Sequence, residues 1–158
     1  MTQRALLDHA GIAALIPHGG RMCLLDRLLA WDPATIACSA SGHRAADHPL
    51  RTRRGLLSTC TIEYAAQAMA LHGALIGQAA GAPATPGYLA SARGVTLQVL
   101  RLDDLPRPAD GAADVLHIVA TRHAGDARQI LYAFTVHHAG RLLAEGRAAV
   151  VLNTPLAS

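Results

Sequence analysis

The sequence predicts an α+β fold in which a curved antiparallel β-sheet wraps one long central helix. Three observations carry this expectation. The segment "TIEYAAQAMALHGALIGQAAG" (61–81) is apolar on every side, and such a helix must be enclosed rather than laid on a surface. Two apolar or alternating stretches precede it, separated by a turn signal. Four further stretches rich in β-branched and apolar residues follow it, joined by hairpin-like turns. A chain of 158 residues reads as a single domain over 1–158, long enough to bury roughly 68–70% of its unfolded surface.

Taken in order, "DHAGIAALIP" predicts a short helix within an N-terminal lead-in (1–17), with Asp8 as N-cap and Pro17 as its end. "MCLLDRLLAW" and "ATIACSASGH" flank "DPA", so Asp-Pro supplies the turn of a hairpin. "RAADHPLRTRRG" is polar, Arg-rich and broken by Pro49, and reads as a loop. The central helix is expected over 58–80, N-capped by Ser58 or Thr59 and stopped by Gly77 or Gly81. Its alanines and Gly73 are expected to let the helix approach the sheet closely. "GAPATPG" is a connector. "YLASARGVTLQVL", "DVLHIVATRHA", "QILYAFTVHHA" and "RLLAEGRAAVVLN" are strands, the last three separated by "AGDA" and "AG".

Composition excludes several functions. The chain has no Lys, which removes Schiff-base lysine chemistry and a P-loop. Net charge is +3, and aromatics do not interleave with Arg51, Arg53 and Arg54, so no nucleic-acid surface is expected. Cys23, Cys38 and Cys60 lack metal spacing and read as buried thiols of a reducing compartment. The N-terminal stretch shows no uninterrupted apolar core, and no run is long enough to span a membrane, so a cytoplasmic protein is expected.

Glu63 is one of two glutamates in the chain, and it sits on the most apolar segment. Thr59 and Gln67 share its helix face at i−4 and i+4. Burial raises a carboxyl pKa while a helix N-terminus lowers it; where burial wins, the group can donate a proton near neutrality. The bland alternative is a first-turn Glu that reaches water or completes a cap. His48 precedes the helix in a loop stiffened by Pro49, and such a loop can bring an imidazole over the helix start. Imidazole, carboxyl and unpaired helical N–H groups together can move protons and bind an oxyanion.

"IPHGGRMCLLDRLLAWD", His48-Pro49, "IEYAAQAMALHGAL" and "GYLASARGVTLQV" together resemble the hot-dog-fold 3-hydroxyacyl-carrier-protein dehydratases. Those of fatty-acid synthesis carry a "PHRxPFLLVDR" opening, an "HFPG" loop and an "EAMAQ" helix. The chain is more similar still to the variant dehydratases of aryl-polyene clusters, whose helix reads much like "IEYMAQA". The resemblance spans roughly residues 12 to 153 and implies edge-to-edge pairing of two units. In such a pair, the loop histidine of one meets the helix acid of the other. By position His48 matches the loop histidine, Glu63 the acid and Gln67 a residue that orients it. "HFPG" has become "HPLR", and the "PG" ahead of the acid has become Leu57-Ser58; loop shape and oxyanion donor both depart from the family pattern.

The implied reaction is loss of water from a 3-hydroxyacyl thioester on an acyl carrier protein, giving the trans-2-enoyl thioester in fatty-acid or polyene-type chain elongation. His48 takes the C2 proton and Glu63 protonates the departing hydroxyl. Backbone N–H groups of Ser58, Thr59 and Cys60 polarise the carbonyl, and Ala66 and Ala70 line an acyl tunnel. No cofactor or metal is expected beyond the phosphopantetheine that carries the substrate. Arg51, Arg53 and Arg54 either dock the carrier protein or its phosphate, or belong to a solvated loop. The oligomer is a homodimer or a heterodimer with a related subunit. His18, Arg21 and Asp26 read as structural, with an Arg21–Asp26 contact. Tyr64 packs, and His72 is a satisfied core histidine. His137 and His138, adjacent on a strand, face opposite ways, one at the surface and one half-buried. His117 and His123 stand alone. Two rival functions remain open. A hot-dog thioesterase would also use a helix acid, although it would usually lack the loop histidine. A weakly active partner subunit of a heteromeric dehydratase would gain activity only in company.

Overall fold

The computed structural model describes residues 5–82, 87–126 and 128–152. Parts of the expected N-terminal lead-in (1–4), connector (83–86), third turn (127) and C-terminal end (153–158) lie outside the described residues. Helix α1 spans His9–Ala13, and Asp8 caps it by accepting from the Gly11 N–H at 2.9 Å. Strands β1 (Arg27–Trp31) and β2 (Thr35–Ala40) form the first hairpin. Asp32 makes the turn by accepting from the Ala34 and Thr35 N–H groups, each at 2.8 Å.

The central helix α2 is Thr61–Ala79, entered through a 3₁₀ turn over Ser58–Cys60. Neither Ser58 nor Thr59 caps it as expected: Cys60 holds the cap position, and no side chain serves there. The Thr61 hydroxyl instead donates back to the Ser58 carbonyl at 2.7 Å. Strands β3 (Gly87–Leu97), β4 (Leu116–Gly125), β5 (Gln129–His138) and β6 (Arg141–Leu152) complete one antiparallel sheet. Its order is β1-β2-β4-β5-β6-β3. The β5–β6 turn places Ala139 and Gly140 at φ 49° and 80°, the paired left-handed geometry that suits a two-residue hairpin.

The sheet encloses α2 by strict alternation. Along β5, Ile130, Tyr132, Phe134, Val136 and His138 face the core. The helix packs against β2, β4 and β5 and, less extensively, β3, burying Tyr64, Ala65, Ala68, Leu71, His72 and Leu75. His72 is satisfied as expected, its Nδ1 2.8 Å from the Tyr132 hydroxyl and its Nε2 2.7 Å from the Asp32 carbonyl. Cys23 and Cys38 are buried thiols and Cys60 is half-buried. Burial pushes Cys38 up to about 12. No helix among the described residues is long and apolar enough to cross a membrane.

One face of α2 is not covered by the sheet. Ile62, Glu63, Ala66, Ala70, Gly73 and Gly77 are only half-buried, and their spacing makes them a single stripe. The expectation that Gly73 brings helix and sheet together is corrected here: a Cβ at Gly73 would meet nothing within 4 Å, so it faces open space. The two sheet edges also differ. The N-terminal segment pairs with β1 through Leu6, Leu7 and Leu28, whereas among the described residues no strand lies beyond β3, where Tyr88, Leu89 and Leu97 are exposed.

A strap fixes the entry to α2. Residues 56–58 pair with 100–102 through the Leu102 N–H to the Leu56 carbonyl (2.8 Å) and the Ser58 N–H to the Leu100 carbonyl (2.9 Å). Asp103, its side chain 3% exposed, accepts from the Leu56 N–H at 3.0 Å and from Arg101 Nη2 at 2.7 Å, and its Oδ2 lies 3.3 Å from Arg51 Nη2. The Arg101 hydrogen bond is the main reason its carboxyl is held well below the ordinary aspartate value, against the opposing effect of burial. Gly55, at φ 97°, lies under this knot, and a Cβ there would come 2.7 Å from Asp103 Oδ1. Asp103→Ala is expected to lower unfolding free energy at neutral pH by about 1–3 kcal/mol, since the Leu56 N–H loses its partner. A carboxyl depressed in the folded state stabilises above its ordinary value of 3.8 and loses that contribution as pH falls below it. The deficit measured by chemical denaturation should therefore shrink at about pH 2; a deficit equal at both pH values would contradict the ion-pair account.

Candidate active site

Glu63 lies in the first turn of α2, at one end of the half-buried stripe. Its side chain is 33% exposed. Two groups hold the same oxygen: Gln67 Nε2 donates to Oε1 at 3.2 Å, and His18 Nε2 lies 3.2 Å from it. Gln67 is fully buried and fixed in turn, donating to the Met22 carbonyl at 2.7 Å and accepting from the Leu24 N–H at 2.8 Å. One amide thus locks the helix acid, through Oε1, to the backbone of 22–24.

The opening motif does more than pack. His18 was expected to be structural, yet it contacts the acid, and its Nδ1 is buried with no hydrogen-bond partner among the described residues. The expected Arg21–Asp26 contact is replaced by two others. Arg21 donates to the Asp47 carbonyl and lies 3.7 Å from the Asp47 carboxylate, immediately before His48. Asp26 instead accepts from the Ser41 backbone and hydroxyl. Nothing local in the sequence says which face of the helix that turn meets.

His48 is buried, 8% exposed. Its Nδ1 accepts from the Leu50 N–H at 3.1 Å, and its Nε2 lies 2.9 Å from the Tyr64 hydroxyl. A backbone N–H can only donate, so the proton of the neutral ring sits on Nε2, which donates to Tyr64. Tyr64 therefore holds the loop histidine as well as packing. Burial lowers the His48 pKa and outweighs the nearby Asp47 carboxylate, which acts the other way; the imidazole is neutral at neutral pH. Burial also pushes the Tyr64 hydroxyl up, which keeps it protonated. Within one chain, no hydrogen bond or ion pair among the described residues joins His48 to Glu63.

Of the three expected oxyanion donors, two are engaged: the Ser58 N–H donates to Leu100 and the Cys60 N–H to Leu57, at 2.9 and 3.0 Å. Thr59, exposed at the helix entry, has no such backbone bond among the described residues. Arg51 is half-buried and paired with Asp103, while Arg53 and Arg54 are exposed. An apolar groove of about 330 Å³ begins at Ala66, one turn beyond Glu63, and runs along the stripe. Ala66, Ala70 and Gly73 form one wall, and Tyr88, Ile130 and Val150 the other.

Comparison with known proteins bears on what this arrangement serves. Among solved structures, the dehydratase heterocomplex ApeI:P from Xenorhabdus doucetiae superposes with a TM-score of 0.76 at 20% identity, over 90% of this chain and 91% of that one. A hypothetical thioesterase with coenzyme A from Streptococcus pneumoniae gives 0.53 at 8% identity over 83% and 88%. AziG of S. sahachiroi gives 0.52 at 20% identity over 81% and 90%. These likenesses show the hot-dog fold. No curated protein matches the chain. The model of the ApeP-like family, described as ApeP dehydratase, matches residues 10–157, nearly the whole length. The chain belongs to the ApeP-like dehydratases, and its chemistry is that of a hydro-lyase.

Proposed function

We propose that the chain removes water from a 3-hydroxyacyl thioester carried by an acyl carrier protein, and that it works as one half of a pair of hot-dog subunits in the cytoplasm. One observation carries this reading: a half-exposed carboxyl, fixed through one oxygen by Gln67 and His18, stands one helical turn ahead of Ala66, which with Ala70 and Gly73 lines an apolar groove. The acyl chain lies in the groove and presents its 3-hydroxyl to Glu63. Glu63 protonates that hydroxyl as the C3–O bond breaks, while a neutral imidazole takes the C2 proton. The C2–H electrons become the double bond, and water and the trans-2-enoyl thioester leave. The proton on the imidazole returns to the carboxylate through solvent, so the cycle balances without a redox or metal cofactor. The Thr59 N–H at the helix start is the backbone group left to polarise the thioester carbonyl.

Pairing supplies the remaining part. The bare β3 edge is the edge at which a second sheet can add, and the solved ApeI:P is itself a heterocomplex. A partner's loop would then face Glu63, and the His48 loop of this chain would face the partner. For His48 to accept a proton at Nε2, its ring proton must move to Nδ1, which gives up the Leu50 bond, and substrate must displace Tyr64. That double engagement favours a second reading, in which this chain contributes the acid and the groove while the partner contributes the base.

Glu63→Gln is expected to slow water loss on the order of 100- to 10,000-fold, read by intact mass of the carrier-bound substrate. His48→Ala should do the same if His48 is the base. The acid limb of kcat/KM should then lie below the ordinary histidine value of 6.5 and vanish in the variant, because the neutral ring persists to lower pH. An unchanged rate in His48→Ala with loss in Glu63→Gln would establish the second reading, and unchanged rates in both would reject the site. Release of free thiol instead of water would show hydrolysis. Gly73→Leu, which fills open groove, should shift preference toward shorter acyl chains with little change in melting temperature; an unshifted preference would place the acyl chain elsewhere. Reversing Arg53 and Arg54 to Glu should raise KM for a carrier-bound substrate and leave that for the free pantetheine thioester unchanged; equal effects on both would remove these arginines from carrier docking.

A further inference from the structure

A second cluster of ionisable side chains shares no residue with the catalytic machinery. His43 lies in a 3₁₀ turn over Gly42–Arg44, Asp114 just ahead of β4, and His138 at the end of β5. His138, expected to be at most half-buried, is buried at 4% exposure because the inward alternation of β5 reaches it. Its Nε2 lies 2.8 Å from Asp114 Oδ1, and His43 Nε2 lies 3.3 Å from the same oxygen. The three donor atoms all fall within 4.8 Å of one another. The two rings stand edge to face with centroids 5.5 Å apart.

His43 is fully buried; among the described residues its Nδ1 has no hydrogen-bond partner, and its Nε2 meets the Asp114 carboxylate at 3.3 Å without hydrogen-bond geometry. A buried polar group left in that state is uncommon and calls for a missing partner. A neutral imidazole offers one ring nitrogen with a free lone pair to a metal ion. Two imidazoles and a carboxylate form a three-residue ligand set of the kind that holds zinc with one position left open. Tetrahedral zinc bonds of about 2.0–2.2 Å place neighbouring donors roughly 3.3–3.5 Å apart, close to the spacing already present around Oδ1. The Asp114 side chain is 26% exposed, so water can reach a fourth position.

Arg44 both helps and opposes. Its Nε donates to Asp114 Oδ2 at 2.6 Å and its Nη1 to the Leu105 carbonyl at 2.7 Å, which fixes the carboxylate with Oδ1 toward the imidazoles. Its positive charge, its 3.1 Å contact to Oδ1, and Arg107 at 3.6 Å from Oδ2 all work against a cation. The site therefore suits an ion that bonds strongly to imidazole, and not magnesium or calcium, which want oxygen ligands. Its affinity should be below that of a closed four-ligand structural zinc site. We propose that His43, Asp114 and His138 bind one divalent transition-metal ion, zinc by ligand set and geometry, and that it pins the start of the His48 loop to the ends of β4 and β5.

The test uses the full, tag-free chain, stripped with a chelator and titrated with zinc chloride against a chromophoric competitor. One equivalent should bind, with a rise in melting temperature that saturates at that ratio. The ¹⁵N signals of the His43 and His138 rings should move, while those of His117 and His123 stay. His138→Gln and Asp114→Asn should each weaken binding at least about tenfold. Because either variant could disturb folding, cobalt(II) on the unaltered chain gives a separate readout: visible bands of a four-coordinate ion without thiolate charge transfer. No binding, equal binding in both variants, or thiolate bands that place the ion on Cys23, Cys38 or Cys60 would overturn the proposal.

Discussion

The geometry of the site rests on the amide of Gln67. Its oxygen takes the Leu24 N–H, and its nitrogen gives to the Met22 carbonyl and to Glu63 Oε1. A buried amide that lost one of these partners would carry an unsatisfied polar group, so the turn over 22–24 and the first two turns of α2 hold each other in place. The carboxyl of Glu63 is therefore positioned by backbone, through one intermediary, and its Oε1 is also held by His18. A flexible glutamate on an exposed helix would have no such constraint.

The rest of the fold serves that arrangement. The sheet covers the faces of α2 that carry Tyr64, Leu71 and Leu75, and leaves bare the stripe that begins at Glu63 and runs past Gly73. Small residues along that stripe open a groove where larger ones would have closed a core. The strap of 56–58 against 100–102, knotted by Asp103, sets where the helix starts. Arg21 then ties the loop ahead of His48 to the same turn that anchors Gln67. Two loops far apart in sequence are thus referred to one helix end.

Much of this was legible in the chain. An all-round apolar segment had to be wrapped, and alternation along "QILYAFTVHH" gave the inward face of β5 residue by residue. Glu63 stood out because carboxylates are scarce there, and Gln67 followed from helical spacing. What escaped was long-range. His18 touches a residue forty-five positions away, and no local pattern announces such a contact. The same holds for Tyr64, whose hydroxyl partner depends on how a proline-stiffened loop folds back. Ser58 and Cys60 failed as open donors because the strap claims one N–H and the 3₁₀ entry the other. His43 and Asp114 carried no sequence signal at all; only the ends of three elements bring them together.

The reaction requires Glu63 to be the carboxyl that meets substrate. The chain has only two glutamates, and Glu145 lies exposed on β6, so a sample labelled with ¹³C at the glutamate carboxyls gives two signals that Glu63→Gln assigns. Titrating it with a non-reactive 3-hydroxyacyl pantetheine analogue should shift the Glu63 signal and leave the Glu145 signal where it was. A bound analogue that moves neither signal, or moves only that of Glu145, would contradict the account.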